Sequence, residues 1–277
     1  LPTGTYRIDA GNRADDPDVI AYFDKHWPNQ ITLTNTQPAQ PEAEGRRSDS
    51  PSNGWNGGVA MCTKNSGEPC NNSSYPDRAG CTGGFSYIRN GQRGMLTAGH
   101  CVRSLTSHPA APLSEFGWRR YSDPRYTTGH NGTAEWTAGS DSAVIRQDTY
   151  SYRNWIWIGG RYGTEEREIT AVEYWPQLGD EVYFSGGNTG WQGGAVAASY
   201  VSHCSDLPTR YVSGLETMGG DSGSPVVMQN TDSSPTGDYK AAGIHVCGPA
   251  DALEPGWRHM VIMGTINSTL GGYPATW

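Results

Sequence analysis

The sequence predicts an all-β protein of many short antiparallel strands, and two observations carry that expectation. First, 37 glycines and 18 prolines in 277 residues break the chain into frequent turns. Second, the apolar runs between them are short and rich in Val, Ile, Tyr and Trp, a composition that fits pleated sheets better than helices. The length suffices for one large domain or two small ones around substantial cores.

The N-terminal fifty residues read differently. Asp16-Pro17 offers a helix cap and first-turn proline, with Val19, Ile20, Phe23 and Trp27 following on one face. A strand is expected at Ile31 to Leu33. Thr36 to Gly54 lacks core-forming residues and reads as an extended linker with Arg46-Arg47 in its middle. The strand pattern begins at Trp55. Trp155 to Ile158, WIWI, reads as a buried strand, and Arg161 to Arg167 as a polar connection. His259 to Leu270 carries Val261, Ile262 and Ile266 at helical spacing and is expected as a C-terminal helix.

Three short segments carry chemistry. TAGHC spans Thr97 to Cys101, SDSAVI spans Ser140 to Ile145, and GGDSGSP spans Gly219 to Pro225. They supply His100, Asp141 and Ser222. A serine hydroxyl is protonated at neutral pH and attacks a carbonyl only if a base removes its proton. An imidazole can do that, and a carboxylate can hold the imidazole tautomer. Asp123, Asp148, Asp180 and Asp206 also lie between His100 and Ser222. Asp141 is preferred because it leads directly into Ser142 to Ile145, a strand that can bury it, whereas Asp180 reads as a turn residue. His26, His108, His130, His203 and His259 lie outside any such motif and read as surface histidines.

In these segments the chain resembles the chymotrypsin-like serine endopeptidases, particularly the bacterial secreted members. The resemblance covers roughly Trp55 to Leu270 and implies two packed antiparallel six-stranded β-barrels with a C-terminal helix. It implies that Cys81 to Phe85 and Gly94 to Cys101 belong to the first barrel. Leu178 to Val201 would open the second with a strand, a turn and another strand, and Ala241 to Val246 would line its pocket. The corresponding division is 1–54 as a pro-region remnant or N-terminal arm and linker, 55–160 as the barrel with His100 and Asp141, and 161–277 as the barrel with Ser222, the pocket and the helix. The N–H groups of Gly220 and Ser222 match the family's oxyanion donors. Asp221 matches a residue that pairs with a cation, of unknown identity here. Leu215 to Val227 and Gly243 to Gly248 resemble glutamyl endopeptidases, in which Thr217 and His245 would receive an acidic side chain. Glu216 beside them could instead repel an acid or attract a base.

Six cysteines, none in a CxxC pair, argue against zinc or thioredoxin-type chemistry and fit three disulfides in an oxidising compartment, with fifteen pairings formally open. Cys81–Cys101 would clamp the His100 loop, Cys62–Cys70 would close a local loop, and Cys204–Cys247 would remain. A formal charge of -8 disfavours nucleic acid and anionic membranes as partners. No apolar run reaches transmembrane length, and any export signal is expected to have been removed. The expectation is a secreted, zymogen-derived monomer that cleaves polypeptide substrates without metal or organic cofactor. The alternatives are a serine esterase, whose G-x-S-x-G elbow fails because Ser224 follows Gly223, and a catalytically inactive protease-like binding protein.

Overall fold

The computed structural model describes residues 6–9, 25, 31–34, 54–64, 80–102, 115–118, 130–131, 133–146, 151–160, 165–199, 210–231, 238–247 and 257–276. The chain divides into two units, Leu1–Ala43 and Glu44–Trp277. In the first, β1 (Tyr6–Asp9) pairs in parallel with β2 (Ile31–Thr34), Tyr6 opposite Ile31. The expected strand is thus present. The helix expected after Asp16, and the linker up to Asn53, fall outside the described residues.

The second unit begins with β3 (Trp55–Gly57), β4 (Ala60–Lys64), β5 (Cys81–Thr82), β6 (Ser86–Arg89) and β7 (Gln92–Ala98). It continues with β8 (Glu115–Trp118), β9 (His130–Asn131), β10 (Thr133–Thr137), β11 (Ser142–Arg146) and β12 (Tyr152–Ile158). Next come β13 (Glu165–Val172), β14 (Glu181–Gly186), β15 (Gly190–Ser199), β16 (Arg210–Ser213) and β17 (Pro225–Gln229). The chain closes with β18 (Tyr239–Cys247), β19 (Trp257–Ile262), α1 (Met263–Leu270) and β20 (Tyr273–Pro274).

Six strands close on themselves in the order β14, β15, β16, β19, β18, β17 and back to β14, every pairing antiparallel. Closure removes the unpaired edges that an open sheet would present. The ring interior is filled by Val182, Phe184, Val196, Val212, Val226 and Met260, among others, all nearly inaccessible to solvent. The more N-terminal strands form a five-stranded sheet, β10-β11-β7-β6-β20, and a four-stranded one, β5-β4-β8-β9. Their side chains share a second, larger core that includes Trp55, Phe85, Tyr87, Met95, Leu96 and Ile145. Two pairings are parallel, β3 with β12 and β13 with β18, and they extend the sheet of the ring outward. Each joins strands separated by long excursions of chain, which parallel pairing requires.

Local chemistry explains several elements. The β6–β7 hairpin turns on Asn90-Gly91, whose φ values of 52° and 74° suit the two-residue turn that matches strand twist. WIWI is the end of β12, and β13 begins already at Glu165, so the polar connection is shorter than the charges of Glu165, Glu166 and Arg167 suggest. The helix is shorter still. Trp257–Ile262 is strand β19, and only Met263–Leu270 is helical. Val261 and Ile262 have the spacing of a helix face, but they are β-branched and complete the ring between β16 and β18. Among the described residues no helix is long and apolar enough to cross a membrane.

Leu96 sits fully buried in β7, three residues before the site loop begins at Gly99. Leu96→Ala should lower stability by about 2–5 kcal/mol, the usual cost of an unfilled core cavity. Urea unfolding should show this as a lower midpoint with little change in slope.

Candidate active site

His100 lies in a 3-10 turn that ends β7, and Asp141 lies in the turn that starts β11. Antiparallel pairing of β7 with β11 sets Ala98 opposite Ser142 and so brings the two turns together. One carboxylate grips both the backbone and the ring of the histidine. Oδ1 accepts the His100 N–H at 2.8 Å, and Oδ2 lies 2.7 Å from Nδ1. Asp141 adopts φ 41°, an uncommon value for a residue other than glycine. The arrangement is held from behind, since the Asp141 carbonyl accepts the Gly99 N–H at 2.7 Å. Below it the Thr269 hydroxyl of α1 donates to Ser140 Oγ at 2.6 Å, and Ser140 Oγ lies 2.5 Å from Ser142 Oγ.

Ser222 sits on the loop before β17. That loop packs against the histidine turn, because Gly223 leaves no room for a side chain. A Cβ there would lie 2.2 Å from Thr97 Oγ1 and 2.4 Å from the Thr82 carbonyl, and φ is +90°. The Ser222 carbonyl accepts the Thr82 N–H at 2.8 Å and lies 3.7 Å from Cys101 Sγ. The Cys81–Cys101 disulfide therefore underlies both loops, with its Cα atoms 6.1 Å apart. Ser222 Oγ donates to the Val246 carbonyl over a long 3.4 Å and makes no hydrogen bond to His100.

The peptides around Ser222 are aimed by their carbonyls. Asn188 Nδ2 holds the Gly219 carbonyl at 2.7 Å, and the Ser224 N–H holds the Asp221 carbonyl at 3.0 Å. In a trans peptide the N–H points opposite the carbonyl, so the Gly220 and Ser222 N–H groups face away from these anchors. Neither N–H has an acceptor among the described residues, whereas Asp221 N–H between them is spent on the Met218 carbonyl at 3.1 Å.

No family model matches the sequence, and no curated protein matches it. Solved structures do. A chymotrypsin from Cellulomonas bogoriensis is 20% identical, with 80% of this chain and 98% of that chain covered at a TM-score of 0.52. A protease A from Thermobifida fusca is 22% identical, with 71% and 92% covered at 0.50. A serine protease described as glutamic acid specific, using a histidine triad in substrate binding, is 18% identical, with 80% and 100% covered at 0.52. The fold is that of the chymotrypsin-like serine proteases.

Within this fold the structure places the other expected residues as follows. Asp221 is fully buried, and no cation among the described residues meets it. Oδ1 accepts the N–H groups of Asn188 at 2.9 Å and Thr189 at 3.2 Å, and Oδ2 accepts Met218 N–H at 3.0 Å and Thr189 Oγ1 at 2.9 Å. Burial pushes its carboxyl above the usual range, while the four donors pull it back. Among the described residues, three backbone amides and the Thr189 hydroxyl stand where the resemblance implies a cation; three of these donors come from the Asn188–Thr189 turn between β14 and β15 and one from Met218. Sequence reasoning missed Asn188 and Thr189, since nothing local marks a turn as the partner of a residue 32 positions away.

His245, in β18, is 3% exposed, with its ring edge-on to Phe184 at 5.3 Å. Its Nδ1 lies 3.1 Å from the His259 carbonyl, which can only accept, so Nδ1 carries the proton. Desolvation pushes its pKa down to about 3, against the pull of that hydrogen bond. His259, expected on the surface, is 2% exposed and belongs to β19. Its motif-free sequence hides this, because the ring closure that buries it is a tertiary event. His130 is in β9, and His26, His108 and His203 lie outside the described residues. Thr217 is half-buried and Glu216 exposed, the latter's backbone clasped by the Gln192 amide through two 2.7 Å hydrogen bonds. Asp180 is a turn residue, accepting Gln177 N–H at 2.6 Å. Cys247 is disulfide-bonded, while Cys70, Cys204 and the Cys62 side chain fall outside what is described. Cys81, Cys101 and His100 cluster as three possible metal donors, but the two sulfurs are consumed by their disulfide.

The depressed His245 pKa has a consequence for stability. The unfolded chain binds a proton near pH 6.5 that the folded protein refuses until about pH 3. Stability contributed by neutral His245 is therefore full above about pH 6.5 and falls as pH drops through that window, by at most about 1.4 kcal/mol per unit. Urea midpoints compared between pH 7 and pH 4 should fall less for His245→Gln than for the unsubstituted protein.

Proposed function

We propose that this protein is a secreted serine endopeptidase that hydrolyses peptide bonds through an acyl-enzyme, with a preference for acidic residues at the cleavage site. Ser222 is the nucleophile, His100 the general base, and Asp141 the residue that orients it. The observation that carries this reading is the two-point grip of Asp141 on His100 beside a serine flanked by two N–H groups that have no acceptor among the described residues.

The chemistry follows from that arrangement. Asp141 Oδ2 accepts a hydrogen bond from Nδ1–H of the neutral ring, so His100 Nε2 is left with its lone pair available. Ser222 Oγ gives up only a weak contact to Val246 when it turns toward Nε2. As Oγ attacks the substrate carbonyl, its proton passes to Nε2, and Asp141 stabilises the resulting imidazolium. The oxyanion that develops is met by the N–H groups of Gly220 and Ser222, already fixed and free of other acceptors. His100 then protonates the leaving amine, the acyl-enzyme forms, and the same base activates a water to release it. Polypeptides are the substrates, and no group in these steps calls for a metal or organic cofactor.

The disulfide under the site fits an oxidising, extracellular setting. The boundary after Ala43 falls inside the polar linker, which supports residues before Trp55 being a removable pro-region. The neighbour described as glutamic acid specific, together with His245 and Thr217 near the nucleophile loop, supports the acidic preference.

Ser222→Ala and His100→Ala should each reduce peptide hydrolysis by roughly a thousandfold or more, and the double variant should be little worse than either. Asp141→Asn should cost about as much by releasing the wrong tautomer. A fluorophosphonate should add its mass to Ser222 stoichiometrically. Lack of labelling would sink the enzyme reading in favour of an inactive scaffold, and labelling with ester but no peptide turnover would favour an esterase.

Limited proteolysis should cut between Thr36 and Asn53 and leave a body that retains activity. A chain that loses its activity when cut there would show the N-terminal segment to be structural.

A further inference from the structure

Beneath the Ser222 loop lies a residue that reaches both sides of the site. Thr82 ends β5, one residue after the disulfide-bonded Cys81, and is fully buried. Every hydrogen-bonding group it owns is used. Its N–H donates to the Ser222 carbonyl at 2.8 Å, and its carbonyl accepts the Thr97 hydroxyl at 2.8 Å. Its own hydroxyl donates to the Gly220 carbonyl at 2.8 Å and accepts the Gly187 N–H at 3.0 Å. Chemistry fixes those directions, since a carbonyl can only accept and a backbone N–H can only donate.

The peptides that Thr82 holds bracket the Ser222 N–H. The Gly220 carbonyl belongs to the peptide between Gly220 and Asp221, and the Ser222 carbonyl to the peptide between Ser222 and Gly223. The plane that carries the Ser222 N–H lies between these two. Each of the two is tied at its other end as well, through Asp221 N–H to the Met218 carbonyl at 3.1 Å and Gly223 N–H to the His245 carbonyl at 2.7 Å. A peptide is a rigid plane, so the middle one can turn only if a neighbour yields at the shared Cα. The Gly220 N–H lies on the plane directly before, whose Gly219 carbonyl is held by Asn188.

The Gly187 contact removes the freedom of the hydroxyl itself. With an N–H on one lone pair, the Thr82 proton is left directed at the Gly220 carbonyl. The approach is close, because a Cβ on Gly187 would lie 2.7 Å from Thr82 Oγ1 and 3.0 Å from Ala60 Cα. The next two residues of the same turn, Asn188 and Thr189, donate directly to Asp221. Three successive N–H groups of one turn thus serve the Ser222 loop, the first of them through Thr82.

We infer that Thr82 is a positioning residue for the reaction, whose hydroxyl and N–H hold the two peptides flanking the Ser222 N–H so that the oxyanion donors are aligned before substrate arrives. This rests on the endopeptidase reading. Thr82 acts through the backbone of Gly220 and Ser222, and its bond to Thr97, three residues before His100, registers the same loop against the histidine turn. Without the hydroxyl, the buried Gly220 carbonyl and Gly187 N–H lose their partner, and the planes between them are free to turn toward others. The oxyanion donors act on charge that develops only in the transition state, so misaligned donors cost turnover more than binding.

The test uses the full chain, a peptide anilide, and two inhibitors of the same peptide sequence. One is a trifluoromethyl ketone, whose adduct with Ser222 carries an oxyanion; the other is the corresponding alcohol, which forms no adduct. Thr82→Val removes the hydroxyl at nearly constant shape. It should lower kcat by about tenfold to a hundredfold, less than the loss of an oxyanion donor itself, with KM within about twofold. Affinity for the ketone should fall by a similar factor, and affinity for the alcohol should stay within about twofold. The pH profile of kcat/KM should keep its midpoint, because His100 is untouched. Thr82→Ser, which keeps the hydroxyl, should return every value to within about threefold of the unsubstituted enzyme. Unchanged kcat in Thr82→Val, an equal loss of ketone and alcohol, or a Thr82→Ser as impaired as Thr82→Val would each overturn the inference while fluorophosphonate labelling and cleavage continue. If Thr82→Val does not fold, proton NMR of the unsubstituted protein decides. A Thr82 hydroxyl proton that exchanges slowly with water supports the inference, and a rapidly exchanging one overturns it. Loss of labelling and of all cleavage in the unsubstituted protein would instead overturn the endopeptidase reading, and this inference with it.

Discussion

The buried carboxylate of Asp221 is the constraint around which the functional half of this protein is arranged. A fully buried charge is tolerated only when its lone pairs are met, and here four donors meet them, with no counter-cation among the described residues. Those donors come from two segments, the Asn188–Thr189 turn and Met218. Satisfying one carboxylate therefore fixes the β14–β15 hairpin and the Ser222 loop against each other. The peptides on either side of Asp221 are turned in consequence, and the N–H groups of Gly220 and Ser222 are the ones left without acceptors. Four neutral donors also make this an anchor whose strength does not depend on the protonation of a partner.

The second carboxylate works differently. Asp141 is held at a positive φ, and the helix at the far end of the chain braces its turn through Thr269, Ser140 and Ser142. Holding both the backbone and the ring of His100 leaves the imidazole one orientation and one tautomer. Close packing then joins this pair to the Ser222 loop. Gly223 can lie on Thr97 only because it has no side chain, and Gly84 has the same role one strand away, where a Cβ would lie 2.8 Å from the Gly223 carbonyl. The disulfide beneath both loops closes the remaining freedom between them. Preorganisation here is thus carried by covalent linkage, glycine contacts and carboxylate hydrogen bonds, and the apolar cores lie behind it.

Much of this was legible in the sequence because it rests on local chemistry. Glycine and proline frequency with short β-rich runs dictate an all-β chain. TAGHC and GGDSGSP mark His100 and Ser222, since a tight loop beside a reactive group demands small residues at fixed offsets. Asp141 was recoverable from the strand that follows it, and Asn90-Gly91 was a hairpin signal available to be read. What tertiary structure alone decided depends on pairings between distant segments. Ring closure buries His259 and turns Val261 and Ile262 into strand despite their helical spacing. A turn 32 residues upstream supplies three of the four donors that the described residues offer Asp221. The pairing of β18 with β19 buries His245, and that burial keeps the histidine neutral. Sequence fixes which groups are available and the local shape of each loop, but solvation, charge state and neighbours are set only once strands far apart in the chain have closed around them.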